Sequence, residues 1–196
     1  MIQIYKFRIT IYIFIVNLLQ NEGVFMSFYN RKSFKFATYL LNEDTKMEID
    51  ILKNKVATII TEKTNVSNKL QAICDLLENQ ISYYDWVGFY FKNDDKEELK
   101  LAQYTGEETA HTIIPFGKGI CGQVAVSNTN FVVQDVSEQD NYISCGWKVK
   151  SEIVIPIFVN GENIGQIDID SHTANTFTTK DEELLEYVCK KVSTIL

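Results

Sequence analysis

Residues 152–170 read EIVIPIFVNGENIGQIDID, and this stretch decides the architecture. Two apolar runs, Glu152 to Val159 and Ile164 to Asp170, flank Asn160-Gly161. Asn-Gly suits the positive backbone dihedrals of a tight turn, so the segment predicts an antiparallel hairpin. Pro156 cannot donate to a ladder, which predicts an edge or a local break there. Along the second strand Asp168 and Asp170 are two residues apart and share one face, while Ile167 and Ile169 share the other. A strand with acids on one side and isoleucines on the other is explained by a polar, cation-holding pocket, or by the ordinary solvated face that antiparallel sheets commonly carry.

Working outward, Trp86-Val87-Gly88-Phe89-Tyr90-Phe91 predicts another strand, and the polar turn Asn93-Asp94-Asp95-Lys96 leads into alternating Leu99, Leu101 and Gln103. Trp86 and Tyr90, four apart, project to one face as an aromatic wall or as core aromatics. Gly117-Lys118-Gly119-Ile120-Cys121-Gly122 reads as a glycine-rich turn into a short helix; it lacks the full phosphate-loop pattern, so nucleoside triphosphate binding is discounted. Phe131-Val132-Val133 is a short strand, and residues 137–150 form a polar loop carrying Cys145, with Lys148 and Lys150 near enough in sequence to favour a thiolate.

Helical periods bound these strands. Ile51, Leu52, Val56, Ile59 and Ile60 form one apolar stripe, and Leu70, Ile73, Leu76, Leu77 and Ile81 a second, with Thr64-Asn65 placed to cap it. Thr179-Lys180-Asp181-Glu182 predicts a capping box opening a last helix with Leu184, Leu185, Val188, Val192 and Ile195 inward. Strands joined by hairpins, with helices before and after, predict an α+β domain: a central antiparallel sheet covered by terminal helices. Residues 27–44 have no clean period and read as an irregular lead-in.

Length and charge narrow the function. One core suits 196 residues. A net charge of −7 opposes a nucleic-acid or anionic-membrane partner, which leaves a small molecule as the expected ligand. Cys74, Cys121, Cys145 and Cys189 have neither zinc-ligand spacing nor a secreted disulfide pattern, so no metal is expected and a reducing, cytoplasmic setting is. Cys74 and Cys189 fall on apolar helix stripes as core residues. His111 and His172 are isolated and share no metal spacing, although either can line a pocket. Lys6 and Arg8 before an apolar run resemble an export signal, but the run lacks a cleavage site and is too short to span a bilayer. Residues 1–25 are therefore read as an upstream extension, with Met26 as an alternative start; the expected division is 1–46 as extension and 47–196 as the domain. A homodimer through the terminal helices or the lead-in is open.

Four blocks in order, Asp85 to Tyr90, Ile114 to Gly122, Ser151 to Pro156 and Ile167 to Ser171, resemble the GAF family and within it the free methionine-(R)-sulfoxide reductases. The resemblance implies a GAF fold, with helices on one face of the sheet and a loop-roofed ligand pocket on the other. It implies Cys145 as the catalytic cysteine, Cys121 as a resolving cysteine, and Trp86, Tyr90, Glu152, Asp168 and Asp170 as substrate-binding residues. The substrate would be free methionine sulfoxide, reduced by thiolate attack through a sulfenic acid and a disulfide, with no bound cofactor and with thioredoxin or another thiol as reductant. The chain departs from the family at His111, where another resolving cysteine is expected, and at Gly146-Trp147 after Cys145. A non-catalytic GAF sensor, or a regulator switched by Cys121–Cys145 oxidation, is the alternative.

Overall fold

Asn160 and Gly161 take φ of 52° and 84°, the left-handed pair that a type I′ turn needs, and the hairpin closes around them. The computed structural model describes residues 31–139 and 148–196, and the chain divides into two compact units, residues 1–48 and 49–196. Helix α1 (Arg31–Thr61) precedes α2 (Val66–Gln80), β1 (Trp86–Lys92), β2 (Glu98–Thr105) and β3 (Ile113–Pro115). Then follow α3 (Gly119–Ser127), β4 (Phe131–Val133), a single 3-10 turn (Val136–Glu138), β5 (Ser151–Val159), β6 (Glu162–Ser171) and α4 (Thr179–Val192).

The six strands make one antiparallel sheet in the order β3-β2-β1-β6-β5-β4. This is the central antiparallel sheet flanked by terminal helices that the hairpin pattern predicts. Period-two alternation sorts the side chains. Val87 and Phe89 of β1, Ile153, Ile155 and Ile157 of β5, and Ile167 and Ile169 of β6 enter one core. Leu52 and Val56 of α1, Ile73 and Leu77 of α2, and Leu184, Leu185, Val188 and Val192 of α4 cover it. Cys74 and Cys189 belong to this core, and burial pushes both thiols far up.

The opposite face carries a second, smaller core in which Trp86, Tyr90 and Val154 meet Ile120 and Val124 of α3 and Val149. Pro156 lies on β5 past Val154, where pairing with β4 stops, so its missing N–H breaks no ladder on that side. Gly165 has no room for a side chain: a Cβ would stand 2.4 Å from the Tyr90 carbonyl oxygen.

Several expectations need correction. Within the segment 27–44, residues 31–44 are not an irregular lead-in, because α1 is continuous from Arg31, while residues 27–30 lie outside the described residues. A mixed aromatic and basic sequence has no apolar stripe, yet nothing in it forbids helix. Ile51 is exposed, since it lies about 100° around the helix from buried Leu52. The last capping box starts one residue earlier, at Thr178, with Asp181 in the reciprocal position. Ile195 lies beyond the end of α4. In β2 the alternation Leu99, Leu101, Gln103 is interrupted: Gly88 pairs with Tyr104 whereas Tyr90 pairs with Leu101, so a bulge turns Tyr104 toward the second core. The Gln103 amide donates instead to Ser67 Oγ. The export-like segment, with its alternative start at Met26, lies outside the described residues, as do Cys145 and Gly146-Trp147. No helix among the described residues is long and apolar enough to cross a membrane.

Candidate functional site

Strand register assembles the site. Trp86 on β1 pairs with Asp170 on β6, which pairs with Glu152 on β5; one rung along, Gly88 pairs with Asp168, which pairs with Val154. The three acids therefore stand on adjacent positions of one sheet face, beside the β1 aromatics. They are deeply buried, at 2% exposure for Glu152, 1% for Asp168 and 3% for Asp170. This settles the choice between pocket and solvated face in favour of the pocket.

Gly88 makes the aromatic wall. A Cβ there would stand 2.1 Å from the Trp86 ring, so the indole lies across the bare backbone of its own strand. In that position it stacks on Tyr104 at 5.5 Å between ring centres and meets Tyr90 at 6.2 Å. Its Nε1 donates to the Glu107 carbonyl at 3.2 Å. The Tyr90 hydroxyl donates to the carbonyl oxygen of His111 at 2.8 Å, so His111 meets the wall through its backbone.

Helix α3 delivers Cys121. Gly117 and Gly119 take positive φ to turn the chain from β3 into the helix, and a Cβ on Gly122 would press within 2.5 Å of the Pro115 carbonyl. In this tight entry the Cys121 thiol donates to Asp168 Oδ2 at 3.2 Å. One ligand-type atom from each of Cys121, Glu152 and Asp168 lies within 4.8 Å of the others, and all three residues are buried.

Electrostatics follow from burying like charges together. Burial, then Asp168, then Asp170 push the Glu152 carboxyl well above the usual carboxylate range. Asp170 is raised similarly by burial, Asp168 and Asp85. Burial lifts Asp168 to about 7, against the lowering effect of the hydrogen bond from Cys121. Asp168 Oδ1 and Asp170 Oδ1 are buried with no hydrogen-bond partner, and none of the ion pairs of the described residues involves any of the three acids. A group this acidic and this undersatisfied suits a proton, an ammonium or a cation.

The cavity above it has Trp86, Tyr90, Asp168 and Asp170 in its wall, with Asp85, Glu107, Lys148 and His172 around them. Lys148 pairs with Glu107. His172 Nδ1 lies 3.2 Å from Asp85 Oδ1, and its backbone N–H donates to Asp85 Oδ2 at 2.7 Å. Glu152 and Cys121 do not line this cavity and meet it through Asp168. The expected set Trp86, Tyr90, Asp168, Asp170, Glu152 and Cys121 is thus brought together, while Cys145 lies outside the described residues. Asp85, Glu107 and Tyr104 were not anticipated. Asp85 directly precedes the strand, which was a usable signal; Glu107 and Tyr104 depend on loop closure and on a bulge that no local pattern announces.

Comparison with known proteins completes the picture. Residues 64–196 match the family model described as GAF domain. The chain is 34% identical over 136 residues to GAF domain-containing protein A of Dictyostelium discoideum, covering 69% of this chain and 84% of that one. It is 35% identical over 131 residues to the free methionine-R-sulfoxide reductase of Saccharomyces cerevisiae, covering 66% and 72%. The crystal structure of free methionine-R-sulfoxide reductase from Neisseria meningitidis, in complex with its substrate, is similar with a TM-score of 0.71 at 30% identity, covering 75% and 87%.

Proposed function

We propose that this chain, which belongs to the GAF domain family, is an oxidoreductase that reduces free methionine-(R)-sulfoxide to methionine at the expense of a thiol. The observation that carries this reading is the Cys121 thiol held 3.2 Å from one of three buried acids beside the Trp86 and Tyr90 wall. A free amino acid brings an ammonium and a polar S=O group, and both are matched by carboxyls of which Asp168 Oδ1 and Asp170 Oδ1 are buried without a hydrogen-bond partner. The apolar part of the ligand rests on the indole face.

In the proposed reaction the Cys145 thiolate attacks the sulfoxide sulfur. A proton from the acid cluster goes to the oxygen, which leaves sulfur and ends on Cys145 as a sulfenic acid, releasing methionine. A carboxyl still protonated near neutrality, as burial makes these, is suited to that donation. The Cys121 thiol then condenses with the sulfenic acid, forming the Cys121–Cys145 disulfide and water. With His111 in place of a further cysteine, Cys121 is the one resolving group assigned, and an external dithiol of the thioredoxin class regenerates the pair. No resident cofactor is assigned, and the demand for a thiol reductant places the chemistry in a reducing compartment such as the cytoplasm.

The test is thiol-coupled turnover of the separated (R) and (S) diastereomers of free methionine sulfoxide, with methionine quantified directly. Turnover of (R), loss in Cys145→Ser and a strong fall in Asp168→Asn are expected. No methionine from either diastereomer with any thiol would leave a ligand-binding GAF sensor in its place.

A further inference from the structure

Cys121, Glu152 and Asp168 have a second chemistry. A sulfur and two carboxylate oxygens converge within 4.8 Å, all buried, beside the core that the sheet forms with α3. Their environment asks for positive charge, because Asp168 Oδ1 and Asp170 Oδ1 are buried without a partner and, among the described residues, no basic side chain pairs with any of the three acids. An ammonium ligand pairs with the carboxylates and takes no sulfur donor. Calcium or magnesium does the same, as hard ions take oxygen donors. One thiolate with two carboxylates is a donor set for a borderline-soft divalent ion. Four-coordinate Zn2+, with bonds of about 2.0–2.3 Å, holds its ligand atoms roughly 3.3–3.7 Å apart. The Cys121–Asp168 contact of 3.2 Å is already close to that, and closing the remainder takes side-chain rotation.

We propose that Cys121, Glu152 and Asp168 form a buried binding site for Zn2+, completed by solvent, which captures the reduced site and excludes the sulfoxide substrate. Binding converts the Cys121 thiol to a thiolate and releases its proton, with any proton carried by Glu152 or Asp168. The ion takes up the carboxylate oxygens and the resolving sulfur together. Conversely, oxidation of Cys121 to a disulfide removes a donor and releases the ion, so occupancy reports the redox state of the site. The ion site stands on its own geometry; only its inhibitory effect rests on the reductase reading.

Cobalt(II) is the probe, titrated into the fully reduced full chain. Wild type is expected to bind one ion with a near-ultraviolet thiolate-to-cobalt absorption band that stoichiometric Zn2+ abolishes by displacement. Cys121→Ser should lose the band and Cys145→Ser should keep it. Asp168→Asn and Glu152→Gln, which are close in shape and guard against a misfolded cysteine variant, should each weaken binding by about tenfold or more. A folded wild type without the band would overturn the proposal, as would a band that survives Cys121→Ser. None of these readings needs turnover, so a chain that fails to reduce methionine sulfoxide still decides the ion site.

Discussion

At the scale of single residues the indole of Trp86 shows how one atom decides a site. It occupies the space a side chain at position 88 would fill. Gly88→Ala is expected to displace the ring, destabilise the fold by about 1–3 kcal/mol and raise KM more than it lowers kcat. Steady-state kinetics beside thermal unfolding separates those effects, and an unchanged KM would remove Trp86 from the substrate wall. Cysteines divide as sharply. Cys74 and Cys189 are buried thiols whose ionisation is suppressed, so alkylation of the native protein followed by mass spectrometry should leave both unmodified on a timescale that labels them fully after unfolding. Much of this scale was legible in the sequence. Period two alone placed Asp168 and Asp170 together and Trp86 with Tyr90, and apolar helix stripes identified Cys74 and Cys189 as core. What the sequence hid was depth: the same alternation describes a solvated acidic face, and only the helix and loops over the sheet made this one a pocket.

Elements depend on contacts between their ends. The start of α4 is fixed by Asp181, whose Oδ2 accepts from the Thr178 backbone N–H at 2.8 Å and whose Oδ1 accepts from the Tyr83 and Tyr84 hydroxyls at 2.7 and 3.0 Å. Asp181→Ala removes the cap and strands a buried tyrosine hydroxyl, so a loss of about 2–4 kcal/mol is expected from the combined cap and hydrogen-bond terms, read from denaturant midpoints. Burial, and for each the neighbouring Asp181, push both tyrosine hydroxyls above their ordinary range. Their folded values exceed their unfolded ones, so their contribution is fully present below about pH 10 and declines as pH rises beyond it. Unfolding followed from pH 8 to 11 should show that decline, and Tyr83→Phe with Tyr84→Phe should flatten it. Here the sequence located the box to within one residue. It missed the start of α1 because helix is permitted without amphipathicity, and it missed the β2 bulge because a one-residue insertion erases the period that would reveal it.

For the whole molecule, the sheet separates two tasks. One face is an aliphatic core with the helices: Ile169→Ala, at its centre, is expected to cost about 2–5 kcal/mol without altering the pocket chemistry. The other face tolerates three buried acids, an expense of stability that a purely structural sheet has no reason to keep. The order of hairpins made the sheet readable in advance, whereas the cavity mouth joins residues far apart in the chain, Asp85 with His172 and Glu107 with Lys148, which no local spacing foretells. Residues 47–196 are proposed to fold alone, since among the described side chains of α1 it is Leu52, Val56 and their near neighbours that enter the aliphatic core.

The most direct test of the central claim is a single-turnover reaction of the reduced protein with one equivalent of free methionine-(R)-sulfoxide, without added reductant, followed by peptide mass spectrometry. The account predicts one methionine per chain and a Cys121–Cys145 disulfide, with a sulfenic acid trapped at Cys145 in Cys121→Ser. Methionine formed with Cys121 still reduced and no sulfenic acid at Cys145, or no methionine at all, would contradict it.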